Sequence, residues 1–404
     1  MNFRKRFLKQ VMTGILSLVL VGEPVFLMPV YGNEIPNGLY STGAVLMDAD
    51  SGRILFGKNE TIPYAMASTT KIMTCILALE LGSLGQVVTF SKEAAAMPDV
   101  QMNAKEGEQY YLKDLLYSIM LESHNDSAVA VAEAIGGSVQ GFTDLMDRKA
   151  EAIGCRQTNF VTPNGLDGRD EKGDHCTTAE ELAMILRYCT VISSKAKEFI
   201  EITRAVVYEF QEINGKRYVS CQNHNALLST YEGVFTGKTG FTGKAGYCYT
   251  GAAKKGEKTL IIALLGAGWY PNKSLKWKDA KKLLDYGFEN YEYQLIGKEV
   301  WFLDSIPVVD GMKESVKIST DADKFPFLLA KGEIVQCKVE CAKQLQAPVR
   351  KGSIVGTITY ELEGKIIEQF KVYTAETCEK STFWNRIKEW IRIIQDFVGN
   401  LTNK

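Results

Sequence analysis

The chain has 404 residues, enough for two or three domains, and 46% of them are hydrophobic, as in an ordinary globular protein. Its 47 Lys and Arg nearly balance its 48 Asp and Glu, so a formal net charge of -1 leaves no electrostatic footprint for a nucleic-acid partner. With 3 histidines and no Cys-x-x-Cys pair among 9 cysteines, there is no pattern for a structural zinc, and neither a metal nor an organic cofactor is expected.

In chain order, Arg4, Lys5, Arg6 and Lys9 precede an apolar run over residues 11–21, a second apolar patch and Val30-Tyr31-Gly32. That is the layout of a secretory signal over residues 1–32, cleaved after Gly32, and it places the mature protein outside the cytoplasm. An uncleaved anchor is the alternative, against which Gly22-Glu23-Pro24 breaks the apolar stretch. Nine cysteines in an exported chain ordinarily point to disulfides, but the odd count and loose spacing argue against a disulfide scaffold. Cys75, Cys189 and Cys248 sit in apolar surroundings, and Cys337, Val339 and Cys341 alternate as one strand face. Most are expected to be small buried hydrophobes.

Residues 43–56 read as two short strands around the turn Asp48-Ala49-Asp50-Ser51-Gly52. Then Ser68-Thr69-Thr70 runs into Ile72, Met73, Cys75, Ile76, Leu77 and Leu79, a buried helix with side-chain oxygens at its first turn and Gly82 at its end. A short strand is expected over 87–90, and an apolar helix over 111–121 delivers Ser123. An Ala- and Val-rich helix follows over 125–135, and a capping-box helix over 178–188 begins at Thr178. Gly237-Lys238-Thr239-Gly240 precedes strands over 247–252 and 260–265, and a last helix covers 278–288. Helices between separated strand groups give a mixed α/β (α+β) domain over 33–290.

Residues 291–377 change character. Short alternating runs such as Val316-Lys317-Ile318-Ser319 and Val355-Gly356-Thr357-Ile358 between turns predict a small all-β sandwich with no catalytic constellation. In the tail, 378–404, apolar Phe383, Ile387, Trp390, Ile391, Ile394 and Val398 form a helical stripe among Arg386, Lys388 and Arg392. That is too short and too charged to span a bilayer, and it suits an amphipathic helix lying on a membrane surface. Packing against the β domain or a second copy is the alternative.

The chemistry centres on Ser68 and Lys71. Three residues apart on a helix, both rise from one face; a lysine in a dry site can lose its charge and take the serine proton. Ser-x-x-Lys alone is weak: Ser194 and Lys197 repeat it in a charged segment without partners. Ser68 and Lys71 are followed by Ser123-His124-Asn125 and by Lys238-Thr239-Gly240. The ordered trio Ser-x-x-Lys, Ser-x-Asn, Lys-Thr-Gly is the signature of penicillin-binding proteins and serine β-lactamases. With Asp50-Ser51-Gly52, Asn164-Gly165-Leu166 and Ala245-Gly246-Tyr247, residues 40–290 resemble a D-alanyl-D-alanine carboxypeptidase, a low-molecular-mass penicillin-binding protein. The β region with Ala347-Pro348-Val349-Arg350-Lys351-Gly352 resembles the C-terminal domain of the same enzymes.

The resemblance implies a β-lactamase/transpeptidase-like domain, an antiparallel sheet of about five strands with helices beside it. It implies Ser68 as nucleophile, Lys71 as its base and Ser123 as proton relay to the leaving amine. Asn125, Lys238, Thr239 and Gly240 would hold substrate, and Phe241 would share an oxyanion hole with the Ser68 N–H. The substrates would be peptidoglycan stem peptides, with β-lactams as acylating mimics, at the outer face of the membrane or in the cell wall. Where relatives often carry an arginine before the last helix, this chain has Lys276, a point charge without the two-pronged contact. A β-lactamase would need a deacylating glutamate, and neither Glu151 nor Glu171 lies in the expected context. A DD-endopeptidase and a non-catalytic wall-binding scaffold are the remaining alternatives. The extra β domain argues against the first, and the lysine beside the serine against the second.

Overall fold

The structure, a computed structural model, describes residues 35–297 and 304–402; the expected signal segment lies outside the described residues. Its centre is a five-stranded sheet in the order Ile54–Lys58, Gly43–Asp48, Lys258–Leu265, Gly246–Lys255, Val234–Thr242, antiparallel throughout. Alternation along the strands decides what each face covers. Val45, Met47, Ile261, Ala263 and Leu265 join the large core beneath the helical region. Ala44, Leu46, Leu260, Ile262 and Leu264 face Ala280, Leu283 and Leu284 of the helix Leu275–Asn290. Because both faces are covered, the central strand reads as the continuous apolar run Leu260-Ile261-Ile262-Ala263-Leu264-Leu265.

The helix Lys71–Leu81 lies inside the molecule, with residues 71–79 all buried, as expected for a helix apolar on every side. It ends at Gly82, whose N–H bonds to the Ala78 carbonyl at 3.0 Å. Helix Asn125–Gly136 packs on it and ends where Gly137 turns left-handed. The segment predicted as one helix over 111–121 instead comprises a strand Gln109–Tyr111, a helix Leu112–Tyr117 and one wider, π-type turn Ser118–Glu122. That turn delivers Ser123 with φ +70°. At Thr178 half of the capping box forms. Its hydroxyl accepts the Glu181 N–H at 3.0 Å, while the Glu181 carboxylate turns away to the N–H groups of Arg156 and Gln157.

Two elements went unassigned in the sequence. Helix Val139–Ile153 is capped by Ser138, which accepts the Gly141 N–H. A hairpin pairs Val207–Gln211 with Tyr218–Gln222, and its inward Val219 and Cys221 alternate with outward Tyr218, Ser220 and Gln222.

Beyond Tyr291 the chain is all β. Strand Tyr291–Ile296 pairs with Phe325–Ala330, and a second sheet has six strands. Its interior is divided among small clusters, one of Val308, Val316, Ala347, Val349 and Cys378, another of Ile358, Tyr360 and Val372. Arg53, in the hairpin ahead of Ser68, ties the two regions: its guanidinium donates to the Leu328 carbonyl at 2.6 Å and pairs with Glu333. The tail forms the helix Phe383–Thr402, with Phe383, Trp384, Trp390, Ile391 and Ile394 exposed. Among the described residues no helix is long and apolar enough to cross a membrane.

All nine cysteines are free. Six are buried, as expected, but Cys337 is exposed and Cys341 only half-buried. The strand Gln336–Cys341 exists with the predicted alternation, yet it is a sheet edge, so Cys337 and Val339 meet solvent.

Candidate active site

Ser68 lies on a tight turn, Ala67–Thr70, that feeds the central helix. The Ser and Thr oxygens do not cap the helix N–H groups, as the sequence pattern implied. Thr69 and Thr70 instead donate backward to the carbonyls of Met66 (2.6 Å) and Ala67 (2.8 Å). Ala67 has φ +48°, a left-handed conformation that strains a residue with a Cβ by about 1–2 kcal/mol. Two glycines permit the packing that holds this turn. A Cβ at Gly165 (φ +86°) would lie 2.0 Å from the Ala67 carbonyl oxygen, and one at Gly240 would lie 2.8 Å from the Ser68 nitrogen. Glycine is therefore required at both, and strand Val234–Thr242 runs directly along the Ser68 backbone.

The Lys71 Nζ lies 2.9 Å from Ser68 Oγ, 2.8 Å from Asn125 Oδ1 and in contact with the Asn164 carbonyl. It is fully buried, and burial drives its pKa well below the lysine range; the Lys238 charge pushes the same way, against Asp126. A neutral amine fits these partners: two N–H groups for the two carbonyl oxygens and one lone pair for the serine hydroxyl. Asn125 is held by its Nδ2 donating to the Pro98 carbonyl (3.1 Å) and its N–H to the Val100 carbonyl (2.8 Å). Ser123 is half-buried beside it, and the His124 ring turns back to Ser118 Oγ (2.8 Å), away from any catalytic post.

On the facing strand Lys238 is buried and Nζ donates to the Thr239 carbonyl at 3.0 Å. Burial lowers its pKa to about 7, and the negative charge of Glu122 partly opposes that. Burial pulls the Glu122 carboxyl upward, but hydrogen bonds from the Gln222 N–H (2.7 Å) and His224 Nε2 (2.7 Å) outweigh it and hold the group below the usual range. Thr239 is half-buried, Gly240 buried and Phe241 exposed, its ring 4.5 Å from that of Tyr247. Across the same Tyr247 ring, at 4.5 Å, sits the Lys276 ammonium, which donates to the Lys273 carbonyl. Burial, helped by Lys273, brings Lys276 down to about 8.

The structure thus brings Ser68, Lys71 and Asn125 into direct contact and lays Lys238-Thr239-Gly240-Phe241 beside them. Ser194 and Lys197 are exposed on another element, and Glu151 and Glu171 are exposed. His175 is structural: its ring joins Thr70 Oγ1 (2.7 Å) to the Val161 N–H (3.0 Å), and burial lowers it to about 3, so it stays neutral. Sequence reasoning missed the Asn164 carbonyl, a backbone atom with no side-chain signal, and the Glu122–His224 pair, which joins residues 102 apart.

A family model described as D-alanyl-D-alanine carboxypeptidase matches residues 33–268, more than half of the chain. The chain belongs to the D-alanyl-D-alanine carboxypeptidase family. A second model, the C-terminal domain of penicillin-binding protein 5, matches residues 288–380. Similar carboxypeptidases include DacF of Bacillus subtilis, 31% identical over 353 residues, covering 85% of this chain and 87% of the relative. DacA of Escherichia coli is 29% identical over 373 residues, with 87% and 86% covered. Among solved structures, penicillin-binding protein 5 of Haemophilus influenzae superposes with a TM-score of 0.67 at 29% identity over 85% of this chain and 99% of that one.

Proposed function

We propose that this D-alanyl-D-alanine carboxypeptidase releases the terminal D-alanine of peptidoglycan stem peptides through an acyl-enzyme on Ser68. The observation that carries the reading is the buried Lys71 amine, held between Ser68 Oγ, Asn125 Oδ1 and the Asn164 carbonyl. Ser68 Oγ attacks the carbonyl of the D-Ala-D-Ala bond as its proton passes to Lys71 Nζ. The tetrahedral oxyanion meets the N–H groups of Ser68 and Phe241, donors worth around 3 kcal/mol each in comparable chemistry. The C–N bond breaks, Ser123 hands a proton to the leaving amine, and water then cleaves the ester with Lys71 as base. Lys238 and Thr239 receive the terminal carboxylate, with Lys276 supplying nearby positive charge. β-Lactams enter by the same route and stop at the acyl-enzyme.

In this reading residues 33–290 form the peptidase domain and 291–377 a β domain that carries no chemistry. The enzyme works outside the cytoplasm. Residues 1–32 serve as an export signal, and the helix in 378–404 lays Phe383, Trp384, Trp390 and Ile394 into the membrane surface.

The test is D-alanine release from a D-Ala-D-Ala-ended stem peptide by the wild type and by Ser68→Ala. Release that vanishes in the variant is expected. A folded wild type that releases nothing refutes the assignment for that substrate; cleavage of cross-linked peptide instead would identify an endopeptidase.

A further inference from the structure

The mechanism leaves one charged cluster at the cleft unused. Glu122 is the last residue of the wide turn and the residue before Ser123. Its carboxylate reaches the strand end across the cleft, where it accepts the Gln222 N–H at 2.7 Å and faces His224 Nε2 at 2.7 Å. The glutamate is largely covered, with a side-chain exposure of 22%, whereas His224 stands 60% exposed. Glu122 also acts electrostatically on Lys238 and on His124, and Cys221 is the other ionisable neighbour on the hairpin side. A fixed negative charge thus stands beside the group assigned to receive the substrate carboxylate.

We propose that Glu122 and His224 form a charge-selective rim of the subsite that receives the leaving group. This rests on the reading of Lys238 and Thr239 as the carboxylate site. A bare Glu122 would repel a leaving group that carries a carboxylate. The His224 imidazole, which bonds that carboxylate from the solvent side, offsets the repulsion and admits the terminal carboxylate. The pair is therefore a positioning and specificity element, touching the leaving group through its field and not through bond-making.

The experiment uses the full chain and two acyl-D-alanyl thioesters, one whose thiol leaving group bears a carboxylate and one whose thiol is uncharged. His224→Gln is expected to raise KM roughly tenfold for the charged leaving group, with kcat and the uncharged ester little changed. His224→Lys, which keeps a cation, is expected to restore KM. Adding Glu122→Gln to His224→Gln is expected to restore it too, since no charge is then left to offset. The proposal is overturned if His224→Gln affects both esters equally, if the lysine variant behaves like the glutamine one, or if the double variant is worse than the single. Loss of folding shows as failure to acylate with the uncharged ester, and the neutral-rim double variant then decides the question. Failure of the carboxypeptidase reading looks different: the wild type itself would turn over neither ester.

Discussion

Replacing Lys238 by methionine should make the protein more stable while it destroys activity. The side chain is buried, and burial brings its pKa from 10.5 down to about 7. A displacement of that size corresponds to about 5 kcal/mol of penalty for keeping the ammonium in place. The sign follows from proton counting. Below pH 7 the lysine is charged in both folded and unfolded chains, so the full penalty applies. Between pH 7 and 10.5 the unfolded chain holds the proton and the folded one has released it, so wild-type stability rises with pH. Methionine fills a similar volume without the charge, although it leaves the Thr239 carbonyl without its 3.0 Å donor, a loss of about 1 kcal/mol. At pH 6 the variant should gain about 4 kcal/mol, and for a domain of this size each kcal/mol moves Tm by roughly 2–4 °C. Thermal and denaturant unfolding, followed by the fluorescence of Trp269 and Trp277, would measure it at pH 6 and pH 9.5. A variant no more stable than wild type at pH 6, or an advantage that does not shrink at pH 9.5, would refute the reasoning.

Lys71→Ala should slow acylation by a fluorescent penicillin roughly 10²–10⁴-fold, and Lys71→Arg should not rescue it, because guanidinium does not give up its proton; a fast Arg variant would remove Lys71 from the role of base. Gly165→Ala should lower stability by about 2 kcal/mol or more in denaturant titrations, since it adds a clash with the Ala67 carbonyl to the left-handed strain. The control is Gly137→Ala, with φ +74° and no neighbour within 4 Å, which should lose only about 1 kcal/mol; equal losses would mean the clash relaxes freely. Deleting residues 383–402 should release the protein from sedimenting lipid vesicles, and continued co-sedimentation would rule out that helix as the anchor.

Much of the fold was legible because its signals are local. The alternation in residues 43–47 and the all-round apolar helix after Lys71 each name their surroundings, and both sheet faces are covered as those patterns require. The Ser68–Lys71 contact follows from a three-residue offset on one turn. What the sequence hid was long-range or made of backbone. The Asn164 carbonyl has no side-chain signature, and the Glu122–His224 pair depends on a hairpin that folds back. The wide turn at Ser118–Glu122 breaks helical periodicity without Pro or Gly to announce it. The Ser68 turn misled in a different way. Its Ser and Thr residues imitate a helix cap, but they brace a strained Ala67 whose conformation is imposed by Gly165 and strand Val234–Thr242.

The free thiols carry a practical consequence. Burial pushes Cys155, Cys221 and Cys248 up to about 12, and drives Cys75 and Cys189 upward as well. The thiolate that attacks disulfides and oxidants is nearly absent from those sites at neutral pH. Maturation outside the cytoplasm then makes no demand on a disulfide-forming catalyst, and refolding needs no redox buffer. Cys337, the exposed thiol on the edge of the β domain, becomes a ready attachment point for a fluorophore or spin label, well away in sequence from Ser68.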